Sequence, residues 1–191
     1  MIIPRGCHSL LSMATLGHVG GLLAGAVLTV ASLCAVAEES VETQVKAAII
    51  VKLTKFVEWP AERLAPAAKI KVCLLGDTPL GEALTGLGSQ LSQSHALEIV
   101  PLRSASERQL ADCHVLYLGE SEMDRLEVLV AQLRRSAVLT VGDSRDFAEA
   151  GGMIELVRRD SHMAFRINLK SVKVSGLVIN SQLLSLATIV E

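Results

Sequence analysis

The chain has 191 residues, 50% of them hydrophobic and 3% aromatic, and a formal net charge of −2. That length suits one domain with a real core, and a slightly acidic balance without a long like-charge block excludes a nucleic-acid surface. So few aromatics leave the core to Leu, Val, Ile and Ala. The first segment, residues 1–37, reads as an export leader. Arg5 is the only Lys or Arg before Lys46, and residues 6–37 carry no charged side chain. An apolar run from Val19 to Cys34 reaches Ala35-Val36-Ala37 and then turns acidic at Glu38-Glu39. A basic start, an apolar middle and a small-residue exit describe a secretory signal peptide. The competing reading is an uncleaved membrane anchor. Gly17, Gly20, Gly21 and Gly25 weaken it, and Leu33 stands where a lipobox would want a small residue before Cys34. Cleavage removes Cys7 and Cys34 and leaves Cys73 and Cys113 in an oxidising compartment. Two cysteines there most simply imply one disulfide, two buried thiols being the alternative. Residues 38–191 are expected to form a single domain with no further membrane span.

Residues 39–58 show helical spacing, with Val41, Val45, Ile49, Leu53 and Phe56 on one face. Lys46 and Lys52 flank that face, and Trp59-Pro60 ends the helix because the residue before proline leaves the α region. Ile70 to Leu75 is a short apolar strand. Gly76-Asp77-Thr78-Pro79 follows, with Asp77 or Thr78 able to cap a helix that Pro79 opens. Leu97 to Leu102 is a second strand, Ser106 to Leu110 a helical turn and Val115 to Leu118 a third strand. Ser121 to Asp124 resembles a capping box. The helix it opens buries Met123, Leu126, Leu129, Val130 and Leu133 and ends at Arg134-Arg135. Ala137 to Val141 is a fourth strand, and Asp143 to Ala150 a short helix stopped by Gly151-Gly152. Met153 to Arg158 and Met163 to Leu169 are two strands joined so closely that they must be antiparallel. Leu183 to Val190 reads as helical. Strand–helix alternation with apolar strands predicts a three-layer α/β/α sandwich around a mostly parallel sheet of about six strands with an antiparallel hairpin.

No catalytic, metal or cofactor signature survives inspection. Gly142-Asp-Ser144-Arg-Asp146 lacks the closing glycine of a nucleophile elbow, as does Gly119-Glu-Ser121-Glu-Met123. Gly76 and Gly81 have P-loop spacing, but Glu82 stands where the lysine belongs. Cys113 and His114 are adjacent and would face opposite sides of a strand, so Asp112-Cys113-His114 begins a strand rather than a ligand set. The phrase most suggestive of a surface for a partner is Phe56, Glu58 and Trp59. Trp59 is the chain's single tryptophan, a residue enriched at interface hot spots; closing the core edge is the competing role. In the strand near the C-terminus, Ile167 shares a face with Phe165 and Asn168 shares the other with Arg166. Asn168 suits a helix cap as well as partner recognition.

Several phrases together resemble one family. They are Lys46-Ala-Ala, Lys55-Phe-Val-Glu-Trp-Pro60, Cys73-Leu-Leu-Gly76 and Asp112-Cys-His-Val-Leu-Tyr-Leu118. Val138-Leu-Thr-Val-Gly142, Phe147-Ala-Glu-Ala-Gly-Gly-Met-Ile154, Phe165-Arg-Ile-Asn-Leu169 and Ser181-Gln-Leu-Leu184 complete the set. In this order and spacing they are similar to the YfiR-like family of bacterial periplasmic proteins, over nearly all of residues 38–191. The resemblance implies a periplasmic α/β regulator that dimerises. It would bind the periplasmic part of an inner-membrane diguanylate cyclase and hold it inactive, lowering cyclic di-GMP and biofilm formation. It also implies that Cys73 and Cys113 are bonded. A second cysteine pair known in the family, near Ala150 to Ile154 here, is missing. The alternative is a small-molecule-binding sensor module serving another receptor. Its pocket would lie where the loops Gly76–Gly81, Gly119–Ser121 and Gly142–Asp146 follow parallel strands. An exported hydrolase is the weakest reading.

Overall fold

Successive side chains of a strand point to opposite faces, so a strand that is apolar throughout needs cover on both sides. Val115–Leu118 is such a strand, Ile70–Leu75 and Leu139–Gly142 are nearly so, interrupted by Lys71 and Thr140, and all three sit inside the sheet. The computed structural model describes residues 41–65, 68–91, 95–104, 106–160 and 162–190. The expected leader and its cleavage site lie outside the described residues.

Residues 41–56 form α1. It is followed by β1 (Val57–Glu58), β2 (Ile70–Leu75), α2 (Leu80–Leu91), β3 (Leu97–Leu102), α3 (Glu107–Ala111) and β4 (Val115–Leu118). A 3₁₀ helix (Glu120–Arg125) leads into α4 (Leu126–Leu133), and β5 (Leu139–Gly142), β6 (Ile154–Arg159) and β7 (His162–Asn168) come next. The chain continues with α5 (Leu169–Ser175), β8 (Val178–Ile179), α6 (Ser181–Leu184) and β9 (Ala187–Val190). The main sheet has the order β3-β2-β4-β5-β6-β7-β9. It is parallel from β3 to β6; β7 runs antiparallel to β6, and β9 parallel to β7. A separate two-stranded ribbon pairs β1 with β8. The expected sandwich is therefore present, with seven strands in its sheet, one more than strand–helix alternation suggests.

Strand alternation divides the interior into two cores. Val72, Leu74, Val115, Tyr117, Leu139 and Val141 face α1 and α2, where they meet Ala47, Ile50, Leu53, Leu80 and Leu84. Cys73, Leu75, Leu116 and Leu118 face the other way, against Leu110 of α3, the three leucines of α4 and Phe147.

Four local expectations are corrected. In α1 the buried face is Ala47, Ile50, Val51 and Leu53, whereas Val41 and Val45 are 60% and 40% exposed. Small Ala47 lets the helix approach the sheet, and Lys46 beside it reaches Asp143 at 2.6 Å, which turns Val41 and Val45 outward. Ser121 does not cap a helix: Gly119 starts the 3₁₀ turn without a side-chain cap, and the Glu122 carboxylate goes to Arg125 at 3.0 Å. Residues 143–150 form turns rather than a helix. Asp146 has φ +60°, outside the helical region. Side chains there take over backbone bonds a helix would make: Glu155 accepts from the Ala148 N–H (3.0 Å) and Asn168 donates to its C=O (2.8 Å). Finally, the C-terminal helix stops at Leu184, and Ala187–Val190 pairs with β7 as β9. Thr188, Ile189 and Val190 are β-branched and suit that pleated edge.

A corner of aromatic, cationic and disulfide groups

α1 ends at Phe56, short of the expected stop at Trp59-Pro60, because Val57 and Glu58 leave the helix as β1 to pair with β8, in the register Val57↔Ile179 and Glu58↔Val178. The Asn180 N–H donates to the Phe56 carbonyl at 2.8 Å, which holds the end of α1 in place. Phe56 packs half-buried against the first core, Glu58 is exposed, and Trp59 is half-buried. The Trp59 ring stands edge-on to His114, with centroids 6.2 Å apart and planes at 79°.

His114 has both ring nitrogens engaged. Nδ1 accepts the Lys71 N–H at 3.0 Å, so the proton resides on Nε2, which donates to the Arg63 carbonyl at 3.0 Å. Only the neutral ring satisfies both bonds. Burial holds its pKa below the ordinary histidine value; the Arg63 carbonyl works against that, and the Arg63 charge reinforces it. Arg63 in turn donates from Nη2 to the Cys113 carbonyl at 2.8 Å. Cys113 is bonded to Cys73, with a Cα–Cα separation of 5.9 Å, well within the usual range. Lys71 and Asp112 form an ion pair at the rim. Mutual hydrogen bonding holds the Asp112 carboxyl below, and the Lys71 ammonium above, their usual ranges.

The fold thus joins groups that lie far apart in sequence: the Phe56–Trp59 phrase, the disulfide, His114, which the sequence places only at a strand entry, and Arg63, which no sequence signal marks. Two donors at this corner, Trp59 Nε1 and Arg63 Nε, are buried without a hydrogen-bond partner among the described residues. Such groups are costly to leave unmet. It opens on a cleft of about 530 Å³ lined by Pro60, Arg63, Arg135 and Lys173. Ile167 and Asn168 do not join it. Ile167 is 0% exposed in the first core. Asn168, 7% exposed, caps α5 by accepting the Ser171 N–H at 2.9 Å.

At the other, C-terminal ends of β2 and β4, two of the three loops that follow strands converge. Gly76, Asp77, Thr78, Ser121 and Glu122 line a cleft of about 570 Å³. The loop after β5 does not. Its Asp143 is occupied by the Tyr117 hydroxyl and the Lys46 ammonium, each donating at 2.6 Å. Lys46 also pairs with Glu42 at 2.7 Å, and Glu42 with Arg158 at 2.8 Å. Burial and the Asp143 bond push the Tyr117 phenol up, keeping it neutral. Burial pulls Lys46 down, but its bonds to Asp143 and Glu42 outweigh that and hold it charged. Among the described residues no three His, Cys, Asp or Glu gather as a metal ion would need. No helix among them is long and apolar enough to cross a membrane.

The His114 arrangement predicts an acid-sensitive corner. Its native pKa lies below the ordinary value of about 6.5, so the unfolded chain binds the extra proton first. Stability from this group is fully present above pH ~6.5 and is lost as pH falls through the native value. Urea unfolding of wild type and His114→Gln between pH 7.5 and 5 should show wild type losing more stability on acidification. Equal losses would remove the assignment.

The chain is an α/β sandwich with an aromatic–cationic corner set on a disulfide. Residues 43–188 match the sequence pattern of the YfiR/HmsC-like family, and the chain belongs to that family. Comparison with curated proteins returns no match. Among solved structures, a conserved domain protein from Vibrio cholerae O1 biovar El Tor is similar, with TM-score 0.57 and 12% identity over 78% of this chain. The ABC domain in complex with L-Trp from Streptococcus pneumoniae has TM-score 0.47 and 12% identity over 73% of this chain. This chain spans 60% of the length of each. The first likeness supports the fold.

Proposed function

We propose that this chain is a periplasmic regulatory protein that acts by binding, not by catalysis, and restrains the periplasmic part of an inner-membrane diguanylate cyclase. The observation that carries this reading is the family match across residues 43–188. Restraint needs differential affinity: the protein must bind the inactive state of its receptor better than the active one. Phe56, Glu58 and Trp59 belong to the surface offered to the receptor. Ile167 and Asn168, buried away from that surface, contribute only by holding β7 and α5 in place. A homodimer is part of this reading. Deleting the gene should raise cellular cyclic di-GMP and biofilm mass, and supplying it in trans should reverse both. An unchanged cyclic di-GMP level across growth conditions would sink the reading.

A second reading, a sensor of a small molecule, is favoured by the cleft of about 570 Å³ beside β2 and β4. In the order β3-β2-β4, adjacent connections depart in opposite directions at that place, which is where such sheets take ligands. Native mass spectrometry of protein purified from the periplasm should then show a bound molecule that Gly81→Trp, at the cleft wall, displaces. Protein that is always empty argues against it.

A further inference from the structure

The helices α4 and α5 leave a groove of about 350 Å³ between them. Leu133 and Met153 form a buried floor, Val130 is half-buried, and Val174, at 40% exposed, makes one wall. The rim is charged. Arg134 and Lys170 line the groove together with Glu127. Arg135 and Lys173 continue the same two elements into the neighbouring cleft, which also shares Val174. All four cations are exposed, and none is in an ion pair among the described residues.

The chain as a whole is acidic, with net charge −2, so this concentration of positive charge is local. Elsewhere some cations are paired, Lys46 with Asp143, Lys71 with Asp112, Arg125 with Glu122, Arg158 with Glu42 and Arg166 with Glu149, while others such as Lys52, Lys55, Arg103 and Arg108 stand singly. What sets the groove apart is clustering: Arg134, Arg135, Lys170 and Lys173 gather around two adjoining clefts that hold only Glu127 and Glu62 among their lining acids, and like charges so placed repel one another unless an anionic partner meets them. The floor beneath them favours apolar atoms removed from water. One ligand chemistry answers both demands: an apolar side chain as anchor, flanked by carboxylates. The groove is concave and walled by two helices, which suits a protruding side chain better than a flat lipid surface.

We infer that the α4–α5 groove is a docking site for an acidic protein segment that inserts an apolar anchor over Leu133 and Met153 and sets its carboxylates on Arg134 and Lys170. The inference rests on the regulatory reading only for the identity of the partner, the receptor's periplasmic part. The surface itself is tested apart from it.

The probe is a pair of synthetic helical peptides with the same leucine anchors, one flanked by Glu and one by Lys. Binding to the purified protein is followed by fluorescence anisotropy at low salt. The Glu peptide should bind at least tenfold more tightly than the Lys peptide, and more weakly as salt rises. At least tenfold should be lost with Arg134→Glu/Lys170→Glu, and likewise with Ala131→Trp, which fills the groove from its exposed edge. Lys52→Glu, an exposed charge on α1, should leave binding unchanged. Thermal melts confirm that each variant is folded. Equal binding of the two peptides, no binding of either, or indifference to the rim variants overturns the proposal. Binding of phosphatidylglycerol vesicles through the same residues without the Glu peptide would replace it with a lipid surface. A dimer that dissociates in the variants, with no peptide bound, would replace it with a second copy of the chain. In cells, the Arg134→Glu/Lys170→Glu protein should fail to lower cyclic di-GMP in a deletion strain where wild type succeeds. A deletion that leaves cyclic di-GMP unchanged removes the regulatory reading while the peptide result still decides the groove.

Discussion

Replacing Cys73 and Cys113 together by alanine is expected to lower the unfolding free energy by about 4 kcal/mol, the chain-entropy value for closing a loop of this size. The bridge spans 40 residues and ties β2 to the turn before β4. Both cysteines are buried in the second core, so the alanines also lose packing. Chemical reduction of wild type should move the urea midpoint close to that of the double variant. Oxidised and reduced protein unfolding at the same midpoint would refute a stabilising bridge. The consequence reaches the corner, because the Cys113 carbonyl is the acceptor that holds Arg63 Nη2 at 2.8 Å. The Arg63 carbonyl in turn fixes the His114 ring against which Trp59 stands. Loosening Cys113 should therefore also alter Trp59 fluorescence under conditions where the protein remains folded.

Phe147→Ala should cost about 3–5 kcal/mol, the range for deleting a fully buried aromatic ring. Phe147 is 0% exposed and is held between two glycines. A Cβ at Gly142 would come within 2.6 Å of the ring, and one at Gly152 within 2.1 Å. Gly152→Ala should then destabilise by roughly 1–3 kcal/mol or more through overpacking. If the clash is direct, most of that cost disappears in the Phe147→Ala background, and a double-mutant cycle by urea unfolding measures it. Additive costs would mean that Gly152 matters for another reason. The ring anchors residues 143–150 over the sheet, so both variants should increase hydrogen exchange in that segment.

These cases mark where a reading of the chain succeeds. β2, β4 and β5 are visible as largely apolar runs because strands covered on both faces need apolar residues at successive positions. The hairpin of β6 and β7 follows from a connection too short for anything but antiparallel pairing. The Phe147 segment was obscure for the opposite reason. Its composition permits a helix, but the ring's fit against Gly142 and Gly152, with side chains from β6 and β7 serving its backbone, favours turns. Gly152, read as a helix stop, is instead a place where a ring approaches bare backbone. Residues 187–190 form a strand because β7 offers them an edge, and no local signal announces that edge. In α1, spacing identified the helix, but Ala47 and the Lys46–Asp143 pair set its rotation.

The same division holds for the candidate site. The Phe56–Trp59 phrase and the Cys73–Cys113 pair stand out in the chain because tryptophan and cysteine are rare residue types with narrow chemical uses. Arg63, His114, Arg134 and Lys170 carry no such mark, since an arginine, lysine or histidine in isolation is compatible with any solvated surface. What distinguishes them is proximity: a ring nitrogen within 3.0 Å of a carbonyl 51 residues away, or two cations from separate helices brought to one apolar groove. Local residue preferences specify the buried strands and most helices. Packing alone specifies which charges go unpaired and which donors are left facing inward, because those depend on distances between segments that the order of residues does not encode locally.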